Sequence, residues 1–428
     1  MARIGNLRWW IVGLLAAASG LAYVDRQTLP IVIGEIQKTI RIDDQQFAHL
    51  QFLFLLAYGI MYAGGGKITD ALGTRWGYIV FIVWWSTANL LQGTVSTLFG
   101  LSLGLFMLGM GEGGCFPAAS KAISEWLPAK ERSIAFGIFN AGSGIGATLA
   151  PPVIAAILLT LNWRWVFYIT GAIGFVWAAL WLWLYFPPSQ HKRLTEVERD
   201  YLREARANEA GAVKQISWIG LFRYRQFWGM VGAKILSDSA WFFLISWLPK
   251  YLYDVRHLNT RSVGYYAWIP YAWAALGSLV GGWLSSHLIR RKFSVDASRK
   301  ICLGVSAACL PVSMLISISP LAITIVFFSL AMLGHQFWST IVYSAITDIF
   351  PTAVVGSVSG LLGSVGAFGG MLFNLLAGLL LATYHNYVLI FIILGLLHPV
   401  SFVIILTVVR RIEPIKDTRG LLKKEALT

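Results

Sequence analysis

The chemistry open to this chain lies in charged side chains embedded in apolar runs. Asp25 and Arg26 stand side by side in the first such run, Glu112 lies deep in the fourth, and Lys234, Asp238 and His335 lie in later ones. An ionisable group at bilayer depth costs roughly 2.5–3.5 kcal/mol on insertion scales, so each needs a partner or a task. Burial favours the neutral form of a carboxylate, which suits it to carry a proton. A buried cation can neutralise an anionic ligand. Adjacent helical residues point about 100° apart. Asp25 and Arg26 therefore either neutralise each other as packing, or divide the work, with Arg26 facing a carboxylate and Asp25 a proton. Glu112 has no basic residue within one turn. It is either a neutral core residue or a proton carrier that is mostly protonated when the site is empty. Lys234 and Asp238 are spaced i, i+4, with Trp241 completing one face. They either pair with each other, or Lys234 is a second cation for the ligand.

Uncharged polar groups could read the rest of a ligand. Tyr23, Tyr58, Asn140, Ser143, His335, Gln336 and Ser339 are candidates, and Gln336, Thr340, Tyr343 and Thr347 form a stripe at helical spacing. Each serves equally well as an interhelical hydrogen bond. The glycines Gly356, Gly360, Gly363, Gly366, Gly369 and Gly370 read as close-packing positions.

The elements that must position these groups are membrane helices. Of 428 residues, 57% are hydrophobic and 13% charged, against about 25% charged in soluble domains. Apolar windows of bilayer length recur along the chain. Twelve spans are expected, near 8–33, 47–66, 76–96, 98–120, 133–160, 163–187, 226–252, 262–289, 300–317, 320–347, 353–383 and 386–409. They make two six-helix halves, 1–187 and 226–411, joined by a polar linker at 188–225 that is partly helical around Glu196–Arg206. A tail follows at 412–428.

The net charge of +14 does not signal nucleic acid, because the basic residues sit in short segments between spans. All but eight of the 34 Lys and Arg, including Lys67, Arg75, Lys130, Arg132, Arg290 and Arg410, fall on one side. The exceptions are Arg26, Arg164 and Lys234 in or beside spans, and Lys38, Arg41, Lys250, Arg256 and Arg261 in the opposite loops. By the positive-inside rule both termini face the cytoplasm. Cys115, Cys302 and Cys309 show neither pairing nor metal-ligand spacing and read as core residues. No Walker loop, zinc spacing or nucleophile elbow occurs, so ATP-driven or hydrolytic chemistry is not expected.

Gly66-Lys67-Ile68-Thr69-Asp70-Ala71-Leu72-Gly73-Thr74-Arg75 closes the second span. Gly282 to Arg291, offset by 216 residues, closes the corresponding span of the second half. Such parallel repeats place a substrate site at their interface. Gly66, Asp70, Gly73 and Arg75 resemble the loop 2–3 signature of the major facilitator superfamily, with Ala71 where an arginine is common, and are assigned to gating. Tyr23–Arg26, Glu112–Pro117 and Ser124–Arg132 resemble the anion:cation symporter family. Pro128–Pro152, Lys234–Trp241 and Gly334–Gln336 are similar to its bacterial hexuronate transporters.

The resemblance implies an all-α symporter importing an organic anion, a hexuronate before an aldonate or phosphate, with protons coupled through Asp25 and Glu112. It would be a monomer in the bacterial inner membrane, contacting lipid and its small anion, with no cofactor, metal or nucleic acid. Related members carry an arginine where this chain has Leu105. That departure should leave Glu112 without a nearby cation on its own helix and shift more of the anion recognition to other residues.

Overall fold

A computed structural model describes residues 6–210, 218–350 and 352–415. The end of the linker, the tail beyond 415, the side chain of Lys130 and the surroundings of Gly356 lie outside the described residues. Among those described, regular structure is entirely helical. The long elements are α1 (Leu7–Ile36), α2 (Asp44–Gln92), α3 (Leu98–Gly113), α4 (Cys115–Trp126), α5 (Ala129–Thr160) and α6 (Trp163–Leu184). The linker helix α7 (Glu196–Ala210) and a short α8 (Trp218–Leu221) follow. Then come α9 (Arg225–Asp254), α10 (Thr260–Arg290), α11 (Val295–Ala307), α12 (Leu321–Ile349), α13 (Thr352–Tyr384) and α14 (Val388–Ile404).

Ten described helical segments are long and apolar enough to cross a membrane. One of them, α2, has 49 residues, about 74 Å of helix, which is far more than one hydrocarbon core needs. It is two spans joined at Gly73, whose backbone (φ 74°, ψ 155°) breaks the helix. The loop expected at 67–75 is thus one residue of turn, with helix on either side. At 31 residues α10 is also long enough, although its Tyr, Ser and Gly dilute its hydropathy. Counting α2 twice and including α10 gives twelve crossings. The fourth is interrupted at Gly114, where an added Cβ would sit 2.3 Å from the Phe81 ring. The ninth finishes as a 3-10 helix over Leu310–Ile318, and the last as a π turn over Ile405–Val409.

Gly73 yields the first prediction. Its φ/ψ region belongs essentially to glycine, and other residues there cost about 1–3 kcal/mol. A Cβ at Gly73 would meet nothing within 4 Å, and one at Gly66 only Pro117 at 4.0 Å. Gly73→Ala should therefore lower the melting temperature in detergent by several degrees, and Gly66→Ala should leave it nearly unchanged. Equal melting of the two would show that the turn is not strained.

Two compact units emerge. One gathers the chain up to Asp43, His49–Gly211 and Pro249–Trp268; the other gathers Asp44–Ala48, Ala212–Leu248 and Ile269 onward. In the first, α1 and α5 cross at backbone contact: a Cβ on Gly142 would lie 2.0 Å from the Ala16 carbonyl, and one on Gly146 2.2 Å from that of Gly20. Small residues at such crossings allow dense packing where lipid supplies no hydrophobic drive. This crossing sets the depth at which α1 presents Asp25 and Arg26. Elsewhere in the unit Trp181 and Tyr185 stack at 4.0 Å. The core of the second unit is built from Phe227, Met230, Phe337, Trp338, Ile341 and Ile405. The linker helix α7 belongs to the first unit. Buried Arg8 joins Glu131 (2.8 Å) and Glu198 (3.0 Å), and the Tyr201 hydroxyl donates to Glu131 at 2.8 Å.

Candidate functional site

Two buried polar clusters form, one in each unit. In the first, Arg26 leaves its neighbour Asp25 and reaches from α1 to α3. Its Nη2 and Nε donate to Glu112 Oε2 at 2.8 and 3.2 Å. The side chains are 7% and 0% exposed. Aromatic rings surround the guanidinium, with centroids 4.8 Å (Tyr23), 5.2 Å (Phe54) and 4.7 Å (Tyr58) away. A cation over ring faces is stabilised by their quadrupoles, most strongly where water is excluded.

This geometry adds to the reading of Leu105 a cation from another helix. Glu112 has no cation on its own helix, but α1 supplies one across the packing interface, and Leu105 is a buried core residue. Glu112 Oε1 has no hydrogen-bond partner among the described residues. The pair is therefore half satisfied and could accept another donor. Asp25 is held separately: the Asn89 amide donates to Asp25 Oδ1 at 2.7 Å and to Thr170 Oγ1 at 2.7 Å. The reading of Asp25 and Arg26 as a mutually neutralising pair gives way to two carboxylates with different partners.

In the second unit, Lys234 Nζ donates to Asp238 Oδ1 at 2.8 Å, closing the i, i+4 pair. The same ammonium lies 4.9 Å from the Tyr343 ring. A Cβ on Gly366 would fall 2.1 Å from Asp238 Oδ2, so the glycine of α13 makes room for this carboxylate. Trp241 stacks flat on His335, at 4.8 Å and 10°. His335 Nδ1 lies 3.2 Å from His398 Nε2.

Other expected contacts are not brought into either cluster. Asn140 is exposed, and Ser143 Oγ donates to its carbonyl at 2.6 Å within α5. Gln336 and Ser339 are half-buried on α12. Of the stripe, Thr340 and Thr347 bond back to carbonyls of their own helix, the usual local satisfaction of such residues; Tyr343 alone meets Lys234. The candidate gating residues lie apart from both clusters. Asp70 pairs with Lys121 at 2.7 Å, and Arg75 donates to the Leu182 carbonyl at 2.6 Å with its guanidinium 3.8 Å over Phe186.

Asn89, Thr170 and His398 were not singled out from the sequence. Asn89 and Thr170 carry no charge to mark them. His398 stands within the most apolar run of the chain, where the conspicuous neighbour is Pro399.

The family model described as Major Facilitator Superfamily matches residues 15–373. The chain is 33% identical over 390 residues to the "Hexuronate transporter" of Escherichia coli (strain K12), covering 90% of each. It is 34% identical to the "Galacturonate transporter" of Dickeya chrysanthemi, covering 72% of this chain and 90% of that one. A solved structure of a bacterial homologue of the human lysosomal transporter Spinster, inward-facing and occupied, superposes with a TM-score of 0.73 at 18% identity. That match covers 99% of this chain and 100% of that one.

Proposed function

Because this chain belongs to the Major Facilitator Superfamily, we propose that it imports a hexuronate, glucuronate or galacturonate, together with protons by alternating access. The membrane would be the bacterial inner membrane, with both termini cytoplasmic, in keeping with the one-sided Lys and Arg. The observation that carries the reading is the Arg26–Glu112 pair, buried and aromatic-walled, with one Glu112 oxygen unpartnered. A substrate carboxylate can replace Glu112 on Arg26 without leaving the cation unpaired. Glu112, released from Arg26, becomes costly as an anion and takes a proton. Substrate and proton are thereby linked through one guanidinium. Asp25, bonded to Asn89 rather than to Arg26, supplies a second proton site. Tyr23 and Tyr58 offer hydroxyls near the same cation for the sugar. Within the second unit, Lys234, Trp241 and His335 form a separate buried group that includes a cation. The two relatives named for hexuronate and galacturonate transport support this substrate class over an aldonate.

The test is an uptake panel in proteoliposomes with an imposed pH gradient. Glucuronate or galacturonate should win over galactonate and glucose, and a protonophore should abolish accumulation. Sodium-dependent uptake that ignores the protonophore would overturn the coupling. Glu112→Gln should retain counterflow exchange within a few-fold of wild type, yet lose accumulation against a gradient. Normal accumulation by this variant would leave Asp25 as the sole proton carrier.

A further inference from the structure

The second span of α2 carries a buried polar file that meets the site above only at Asn89. Ser86, Asn89 and Gln92 follow at three-residue spacing, so they lie along one side of the helix. All three are fully buried. Asn89 spends its amide hydrogens on Asp25 and Thr170, each at 2.7 Å, and its carbonyl oxygen has no protein partner among the described residues. The Ser86 hydroxyl and both polar atoms of the Gln92 amide are likewise without one. A buried amide left wholly unpaired is among the rarest features of folded proteins, and groups of this kind are ordinarily bonded to ordered water with two to four polar partners.

Position gives the file a direction. Gln92 is the last residue of α2, and Asn89, one turn further in, touches Asp25. The loop beyond Gln92 is tied down by Arg164 Nη2, 3.3 Å from both the Val95 carbonyl and Ser96 Oγ, and by the Tyr168 hydroxyl, which donates to the Gly93 carbonyl at 3.0 Å. The charged groups around Asp25 are Glu112, which acts on it from α3, and the adjacent Arg26 on its own helix. Arg164 stands at the far end of the file.

We propose that Asn89 and Gln92 hold a chain of ordered waters that conducts protons between Asp25 and the membrane face at which α2 ends. The inference rests on the proton-coupled reading above. A hydronium at the helix end passes a proton along the waters, and the Asp25 carboxylate takes the last one. Only O–H bonds form and break, and one positive charge moves inward. Asn89 and Gln92 are positioning residues in this scheme, since they touch neither the sugar nor its carboxylate.

The experiment uses proteoliposomes with an entrapped pH dye and galacturonate as the added substrate. Wild-type protein should acidify the lumen when galacturonate is added; no acidification would sink the coupled reading itself, whatever the variants do. With the wild type active, Gln92→Leu should slow acidification at least 10-fold while galacturonate counterflow at equal pH stays within two-fold. Gln92→Ser, which leaves room and partners for water, should keep at least half of the wild-type acidification rate. Gln92→Leu acidifying normally, Gln92→Leu lowering both rates equally, or Gln92→Ser doing no better than Gln92→Leu would each overturn the water path and leave coupling through Asp25 standing.

Discussion

Replacing Arg26 with alanine is expected to cut hexuronate uptake at least about 100-fold and to destabilise the protein as well. The two effects have one origin. Removing a single partner from a buried ion pair typically costs about 3–5 kcal/mol, because the remaining charge keeps its desolvation penalty. Here the group left behind is Glu112, fully buried, which loses both of its donors at once and must either remain an unpaired anion or take up a proton. The substrate carboxylate would meet the same emptiness, and each 1.4 kcal/mol lost is tenfold in affinity. Arg26→Lys separates charge from shape. A lysine keeps the cation but loses the planar guanidinium that contacts Tyr23, Phe54 and Tyr58 together, so uptake should fall about tenfold and stability little. The binding readout is the rise in melting temperature on adding substrate, which follows the ratio of concentration to Kd. Arg26→Ala should show no such rise at concentrations that stabilise the wild type. If Arg26→Ala is less stable but still stabilised by substrate to the wild-type extent, Arg26 is a packing residue and the anion is held elsewhere.

The sequence discloses ionisable residues at depth better than their pairings. Asp25, Arg26, Glu112, Lys234 and Asp238 are visible because a charge inside an apolar run is conspicuous in one dimension. Lys234–Asp238 is legible as a pair too, since one helical turn separates the partners. Arg26 and Glu112 are 86 residues apart, and Asn89 and Asp25 are 64 apart. Nothing local says which helices bring them together. The contact depends on the α1–α5 crossing, where glycines at 20, 142 and 146 allow backbones to touch, and on the break at Gly114 just beyond Glu112. The missing cation inferred at Leu105 shows the hazard of reading one helix by itself: a neighbouring helix supplies the charge. Ser143 shows the converse, because a hydroxyl group in a span can be satisfied by a backbone carbonyl of its own helix.

Lys234 offers the cleanest separation of architecture from function, because its partner is known and both can be removed together. Lys234→Met should lower stability markedly, leaving Asp238 buried against Gly366 without its ammonium, and should reduce uptake at least about 100-fold. Lys234→Met with Asp238→Leu removes both charges and keeps apolar volume. Replacing a whole buried pair by hydrophobic residues is often neutral or stabilising, by as much as about 1–4 kcal/mol. The double variant should therefore melt near the wild-type temperature. If the pair only holds α9 in shape, uptake should return with stability. The arrangement around Lys234, with the Tyr343 ring 4.9 Å away and the Trp241–His335 stack two turns on, argues for a task beyond shape. The expected outcome is a stable double variant that still fails to transport. Tyr343→Phe supplies the graded case, since it keeps the ring under the ammonium and removes only the hydroxyl; uptake should drop a few-fold with no change in melting. Recovery of uptake in the double variant to within a few-fold of wild type would reduce Lys234 and Asp238 to a structural pair and leave Arg26 as the only cation assigned to the substrate.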